Sequence, residues 1–104
     1  MPVTELGGHT IHVDEEGFLT DFAEWDDDLA KVLADQIGID LGEEHWKVIR
    51  FLREDYKIQG ETATARRVQA VGGIPVKEQF VLFPKKPAKK MAYIAGLPKP
   101  RGCV

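Results

Sequence analysis

The 104-residue chain contains no serine, a single cysteine (Cys103) and only three histidines (His9, His12 and His45). Without serine there is no serine nucleophile, and so no serine-centred triad. One cysteine forbids an intramolecular disulfide, and with three histidines at no recognisable ligand spacing it supplies neither a cysteine-rich zinc site nor any other metal site. No apolar run approaches the roughly 20 residues that span a bilayer, and Met1-Pro2-Val3-Thr4-Glu5 lacks the basic and apolar regions of a signal peptide, so the chain is expected in the cytoplasm. No glycine-rich phosphate loop precedes a helix in the required strand context. With no general base or oxyanion cluster in view, classical catalysis, a cofactor and a membrane partner are not expected.

What is present fits one ordinary globular domain: 43% apolar and 30% charged residues over a length that fills a single core. The net charge of −3 hides a division. Residues 1–44 carry thirteen acids against Lys31 alone, a net of −12, whereas residues 45–104 carry four acids against thirteen bases, a net of +9. Three uses are open to this asymmetry: steering an anionic partner, packing one half on the other, or plain solvated faces.

Alternation of apolar and polar residues predicts strands at Val3–Leu6 and His9–Val13 joined by Gly7-Gly8, with Ile11 and Val13 on one face and Thr10 and His12 on the other. Asp14-Glu15-Glu16-Gly17 reads as a second turn, so Phe18-Leu19-Thr20 is expected to add a third strand. From Asp26 the period becomes helical. Leu29, Val32, Leu33 and Ile37 form a stripe, Asp26-Asp27-Asp28 supply the cap and dipole charge, and Gly38 stops the helix. A second helix is predicted over 43–58 with Trp46, Ile49, Leu52 and Tyr56 inward and Arg50 or Arg53 on other faces. Thr62 or Thr64 caps a third that ends at Gly72-Gly73. A short fourth follows Pro75 and carries Phe80, Leu82 and Phe83, and a fifth runs over 88–95 with Met91 and Ile94 inward. Trp25, Trp46 and Tyr56 read as core aromatics. The expected fold is thus α+β and mainly helical: a three-stranded antiparallel meander packed on about five helices.

The remaining residues, 96–104, have no helical period, and Pro98 and Pro100 favour an extended, mobile arm beyond a body of residues 1–95. Eight extended residues reach about 25 Å, enough to deliver a terminal side chain to another protein's pocket. Gly102 frees the last peptides beside Cys103. Lys99 and Arg101 favour its thiolate while the chain-terminal carboxylate opposes it. A lone accessible thiolate can attack a sulfane sulfur, become a persulfide, and surrender the outer sulfur to a second thiol.

The run Leu82-Phe83-Pro84-Lys85-Lys86-Pro87-Ala88-Lys89-Lys90, followed by Ile94-Ala95-Gly96-Leu97-Pro98-Lys99-Pro100 and Gly102-Cys103-Val104, resembles the DsrC/TusE family. These are the gamma-subunit-like proteins of dissimilatory sulfite reductase and of the tRNA-thiolation sulfur relay. The likeness extends upstream through the Gly17 turn, Trp25, Glu44-His45-Trp46 and Arg50-Phe51-Leu52-Arg53. The resemblance implies a persulfide carrier, at most a sulfurtransferase, in which Cys103 accepts sulfur from one protein and passes it to another, with tRNA reached only through a thiolation enzyme. It also implies that the sulfite-reductase-binding branch carries a second cysteine eleven positions earlier, where this chain has Ala92. The loop from Gly72 to Val81 is likewise shorter than that branch leads one to expect. Sulfite reductase is therefore a disfavoured partner.

Two other readings compete. Helices at 43–58, 62–71 and 76–83, with Arg66 and Arg67, could form a helix-turn-helix for nucleic acid or a regulatory interaction module without sulfur transfer, against which stands the pI of 5.6. Lys85, Lys86, Lys89 and Lys90 form either a docking patch, for an acidic partner or for tRNA held by one, or a solvated helix face.

Overall fold

A computed structural model describes residues 3–100. Strands β1 (Val3–Leu6) and β2 (His9–His12) pair antiparallel with Val3 opposite His12, and five helices follow: α1 (Asp27–Gln36), α2 (Glu43–Gln59), α3 (Ala65–Ala70), α4 (Val76–Leu82) and α5 (Pro87–Ile94). A 3-10 turn at Phe22–Glu24 leads into α1. Gly7 and Gly8 turn the hairpin with φ of 52° and 85°, the double positive φ that a two-residue turn of matching twist demands. A Cβ on Gly7 would stand 2.7 Å from a Val32 methyl, so the hairpin lies directly on α1.

The expected third strand is not formed. Only Val13 and Leu19 make a bridge, with Thr20 N–H donating to His12 O at 2.9 Å. Pairing stops there because Asp14 Oδ1 accepts from both Glu16 N–H and Phe18 N–H and curls the turn. Asp21 then caps the 3-10 turn, accepting from Ala23 N–H, and redirects the chain. Phe18 and Leu19 are nevertheless buried.

The helices meet their expected bounds closely. Asp26 caps α1 by accepting from Leu29 N–H at 2.8 Å, while Asp27 and Asp28 pair with Arg50 and His9. Leu29 and Leu33 with Ile11, Val13 and Leu19 make one apolar cluster under the hairpin. The larger cluster joins Val48, Ile49 and Leu52 of α2 to Val68, Ile74, Phe83, Met91, Ile94 and Leu97. In α4 the inner face is Val76, Gln79 and Phe83. Phe80, 100° round the helix from Gln79, points outward and is 52% exposed. The buried Gln79 donates to Ala65 O and Ile74 O, fastening α4 to α3. Most of the 72–81 stretch is this helix rather than loop. Among the described residues no helix is long and apolar enough to cross a membrane.

Glu24 ties the 3-10 turn to β2. Its carboxylate accepts from His12 N–H at 2.8 Å and lies 2.6 Å from His12 Nδ1, and these hydrogen bonds hold its pKa below the ordinary 4.5. A carboxylate lowered in the folded state stabilises it above the unfolded value, and that gain is lost as pH falls through the folded value. Melting temperatures taken from pH 7 to pH 3 should therefore fall less steeply below the ordinary glutamate range in Glu24→Gln than in the parent. Equal slopes would contradict the assignment.

Candidate functional site

The chain segment that leads to Cys103 leaves α5 through a tightly specified turn. Gly96 N–H donates to Tyr93 O at 3.2 Å and Leu97 N–H to Ala92 O at 3.0 Å, the paired bonds of a Schellman cap, with Gly96 at φ 70°. A Cβ on Gly96 would lie 2.4 Å from Trp25 Cδ1 and 2.9 Å from Leu19 Cδ2. Glycine is thus required there twice, for its left-handed backbone and for the indole stacked against it.

Two side chains grip the last carbonyls of α5. Trp25 Nε1–H donates to Ile94 O at 2.8 Å. Arg53 donates from one guanidinium nitrogen to Ala95 O at 2.8 Å and from the other to Phe22 O at 2.9 Å. Its guanidinium also lies 3.8 Å from the Phe22 ring centre and 4.1 Å from that of Trp25. Burial lowers the Arg53 pKa, with Glu54 acting in the opposite direction, and the group stays a cation. Nearby, burial raises the Tyr93 phenol, which keeps that ring neutral.

This clamp was not legible in the sequence, where Trp25 reads as a core aromatic and Arg53 as a residue on an outer helix face. Its partners are backbone carbonyls 42 and 31 positions away, which no periodicity marks. Arg53→Lys should keep the charge but lose the bridge between two carbonyls, since an ammonium lacks the planar fork. We expect a loss of about 2 kcal/mol, read by urea denaturation. A change below about 0.5 kcal/mol would show that the clamp is dispensable.

Residues 97–100, expected to belong to an extended arm, lie on the body instead. Leu97 is fully buried and Pro100 is buried as well. Thr62 Oγ1–H donates to Pro98 O at 2.8 Å, and Lys99 Nζ lies 3.4 Å from Glu16 Oε1. Thr64, not Thr62, caps α3. Residues 97–100 are therefore held on the body by a core leucine worth about 2 kcal/mol and by polar contacts to α2–α3 and to the acidic turn. They border a cleft of about 290 Å³ lined by Tyr56, Gly60, Glu61 and Thr62. From Pro100 the four remaining residues reach at most about 14 Å, so a 25 Å delivery would require Leu97 to leave the core. Arg101, Gly102 and Cys103, the expected thiol and its neighbours, lie outside the described residues.

The lysine run divides. Lys85 and Lys86 are exposed, whereas Lys89 and Lys90 are half-buried, and the Lys90 ammonium donates to Pro84 O. His45, at the start of α2, accepts from Gly42 N–H on Nδ1 and therefore donates from Nε2 to Leu82 O at 2.9 Å, while its ring meets Phe83 edge-on. This fastens the start of the Pro84–Pro87 loop. Ala92, where the resemblance to the sulfite-reductase-binding branch leads one to expect a second cysteine, is completely buried on α5.

The helix-turn-helix reading keeps Arg66 exposed but loses Arg67 as a free cation. Arg67 makes a two-pronged pair with Asp55, at 2.9 and 2.7 Å, and that hydrogen bonding raises its pKa. A guanidinium so engaged is not free for phosphate, and α3 has only six residues. Among the described residues no group of three histidine, cysteine or acidic side chains is placed to hold a metal ion.

The family model for DsrC-like protein matches residues 5–104. The chain is 44% identical over 108 aligned positions to Sulfurtransferase TusE of Pectobacterium atrosepticum, covering 96% of this chain and 98% of that one. Among solved structures it is similar to a chain of dissimilatory sulfite reductase I (DsrI), with TM-score 0.84 and 38% identity over 99% of this chain and all of that one. It is also similar to DsrC of Allochromatium vinosum, with TM-score 0.82 and 40% identity over 98% and 97% of the two chains. Fold, length and sequence agree over essentially the whole of each, and on that ground the chain belongs to the DsrC-like protein family.

Proposed function

We propose that this protein is a sulfur carrier of a relay: Cys103 takes up sulfur as a persulfide and passes it to a partner thiol. The observation that supports this most is that the family match runs through the chain's only thiol, in a chain similar throughout to proteins named Sulfurtransferase TusE. In loading, the Cys103 thiolate attacks the outer sulfur of a donor persulfide. A new S–S bond forms as the donor's bond breaks, and the donor cysteine leaves as a thiolate. In unloading, an acceptor thiolate attacks the outer sulfur on Cys103 and releases Cys103 as the leaving group. The transferred sulfur keeps its oxidation state and no external electrons are needed.

Ala92 supports one branch where overall similarity favours neither, since the sulfurtransferase and DsrC relatives are almost equally close in identity. Without a second cysteine no internal thiol can displace the outer sulfur, so the protein holds its cargo for an external acceptor. Cytoplasmic sulfur metabolism or tRNA thiolation, with tRNA met through the thiolation enzyme, fits this better than a partnership with sulfite reductase. Lys99, Arg101 and Gly102 carry the thiol to its partner, and Lys85, Lys86 and Lys89 face that partner, with Lys90 bracing the loop.

Loaded protein kept dilute and free of reductant should retain its extra sulfur for hours, then lose it within minutes of adding a dithiol, as read by intact mass. Spontaneous discharge from the monomer would mean another group replaces the missing thiol, and the single-cysteine relay would fail.

A further inference from the structure

We propose that α4 and the loop after it form a preorganised docking face for a protein partner whose surface presents an apolar socket rimmed by carboxylates. The proposal rests on the carrier reading, which requires such partners, and adds where one of them sits.

Phe80 and Val81 are 52% and 72% exposed, neighbours on a helix whose opposite face is fully used by the core. Helical spacing puts Lys77, Phe80 and Val81 on one outward face, all three are exposed, and Pro84, just past the end of the helix, is exposed as well. An aromatic and a branched aliphatic side by side in water form the kind of centre that interfaces bury.

The cations beside them are held in place at a cost. Lys85 and Lys86 both have positive φ, 59° and 51°, and Lys86 precedes a proline, which disfavours that backbone further. The surroundings enforce this conformation: Leu82 O is tied to His45, Pro84 O to the Lys90 ammonium, and the prolines at 84 and 87 fix the loop on both sides. Glycine would remove the strain. Strain of this kind persists where a loop must present its side chains in one arrangement. Lys77, Lys85 and Lys86 pair with no acid among the described residues, so the rim is uncompensated positive charge.

Charge selects the occupant. The chain's own tail, with Lys99 and Arg101, would be repelled. A second copy offers acids in its N-terminal half and a cleft there with Ala34, Ile39 and Leu41 beside Asp35 and Asp40, but Lys31 also lines that cleft and would face the lysine rim. RNA would find one aromatic beside an aliphatic, not a stacking platform. An acidic protein surface with an apolar depression matches both the centre and the rim.

The test uses the full chain and two donors. A photoreactive benzoylphenylalanine in place of Val81 identifies the protein donor by crosslinking in cells. That donor, purified and persulfide-loaded, is compared with inorganic polysulfide, which needs no docking. Phe80→Ala and the double variant Lys85→Glu/Lys86→Glu should each slow loading by the protein donor at least about tenfold, leave loading by polysulfide unchanged, and keep the parent's melting temperature. Added salt should slow the parent's reaction with the protein donor alone. Unchanged loading by the protein donor, absence of a crosslink, or a crosslink to RNA or to a second copy would overturn the docking face. Failure of polysulfide to load the parent would instead defeat the carrier reading, and the donor's Kd for the same variants would still decide the face.

Discussion

Replacing Gly96 by alanine should destabilise the protein by about 3 kcal/mol and lower its melting temperature by more than about 10 °C. Two effects add. An L residue at φ 70° costs about 1–2 kcal/mol, and the new methyl meets the Trp25 ring at 2.4 Å. That ring cannot swing away without breaking its hydrogen bond to Ile94 O, a further loss of about 1–2 kcal/mol. Gly38 provides the matched control. It closes α1 with the same pair of bonds and φ 71°, but nothing lies within 4 Å of its absent Cβ. Gly38→Ala should therefore show the backbone cost alone. If the two variants melt together, the indole is not locked and the clamp around Arg53 and Trp25 does not fix the end of α5.

Cys103→Ser should abolish sulfur loading completely and leave stability within about 0.5 kcal/mol of the parent. The first half follows from chemistry: a serine hydroxyl is not deprotonated near neutral pH and does not attack sulfane sulfur, and the chain has no other thiol to substitute. The second follows from how little changes. The exchange is one sulfur for one oxygen on a side chain outside the described core, a change of the size that usually moves stability by no more than about 0.5 kcal/mol. Residual loading in the serine variant would place sulfur on a group other than cysteine.

Much of this fold could be read from local rules. Strands, turn and helices stand where alternation, the 3.6-residue period, the Asp26 cap and the stop glycines put them, because each element's signal lies within a few residues of itself. The third strand failed for an equally local reason, the side-chain bonds of Asp14 and Asp21, which compete with the ladder. What sequence could not show were contacts between distant segments. Phe80 faces water because Gln79 and Phe83 occupy the inner face of α4. Leu97 and Pro100 are held because Thr62 and the core receive them. Arg53 turns inward because carbonyls at both Phe22 and Ala95 need a donor. The division of charge is used in part for packing, with Arg50 on Asp27 and Lys99 beside Glu16 joining the two halves. The thiol itself was legible from composition alone, as the single cysteine.

Intact mass spectrometry of the full chain after incubation with a persulfide donor tests the central claim most directly. One added sulfur, about 32 Da, should appear on the parent, map to the peptide containing Cys103, vanish with a dithiol, and never appear on Cys103→Ser. No mass gain on the parent with either a protein donor or polysulfide, or the same gain on the serine variant, would contradict it.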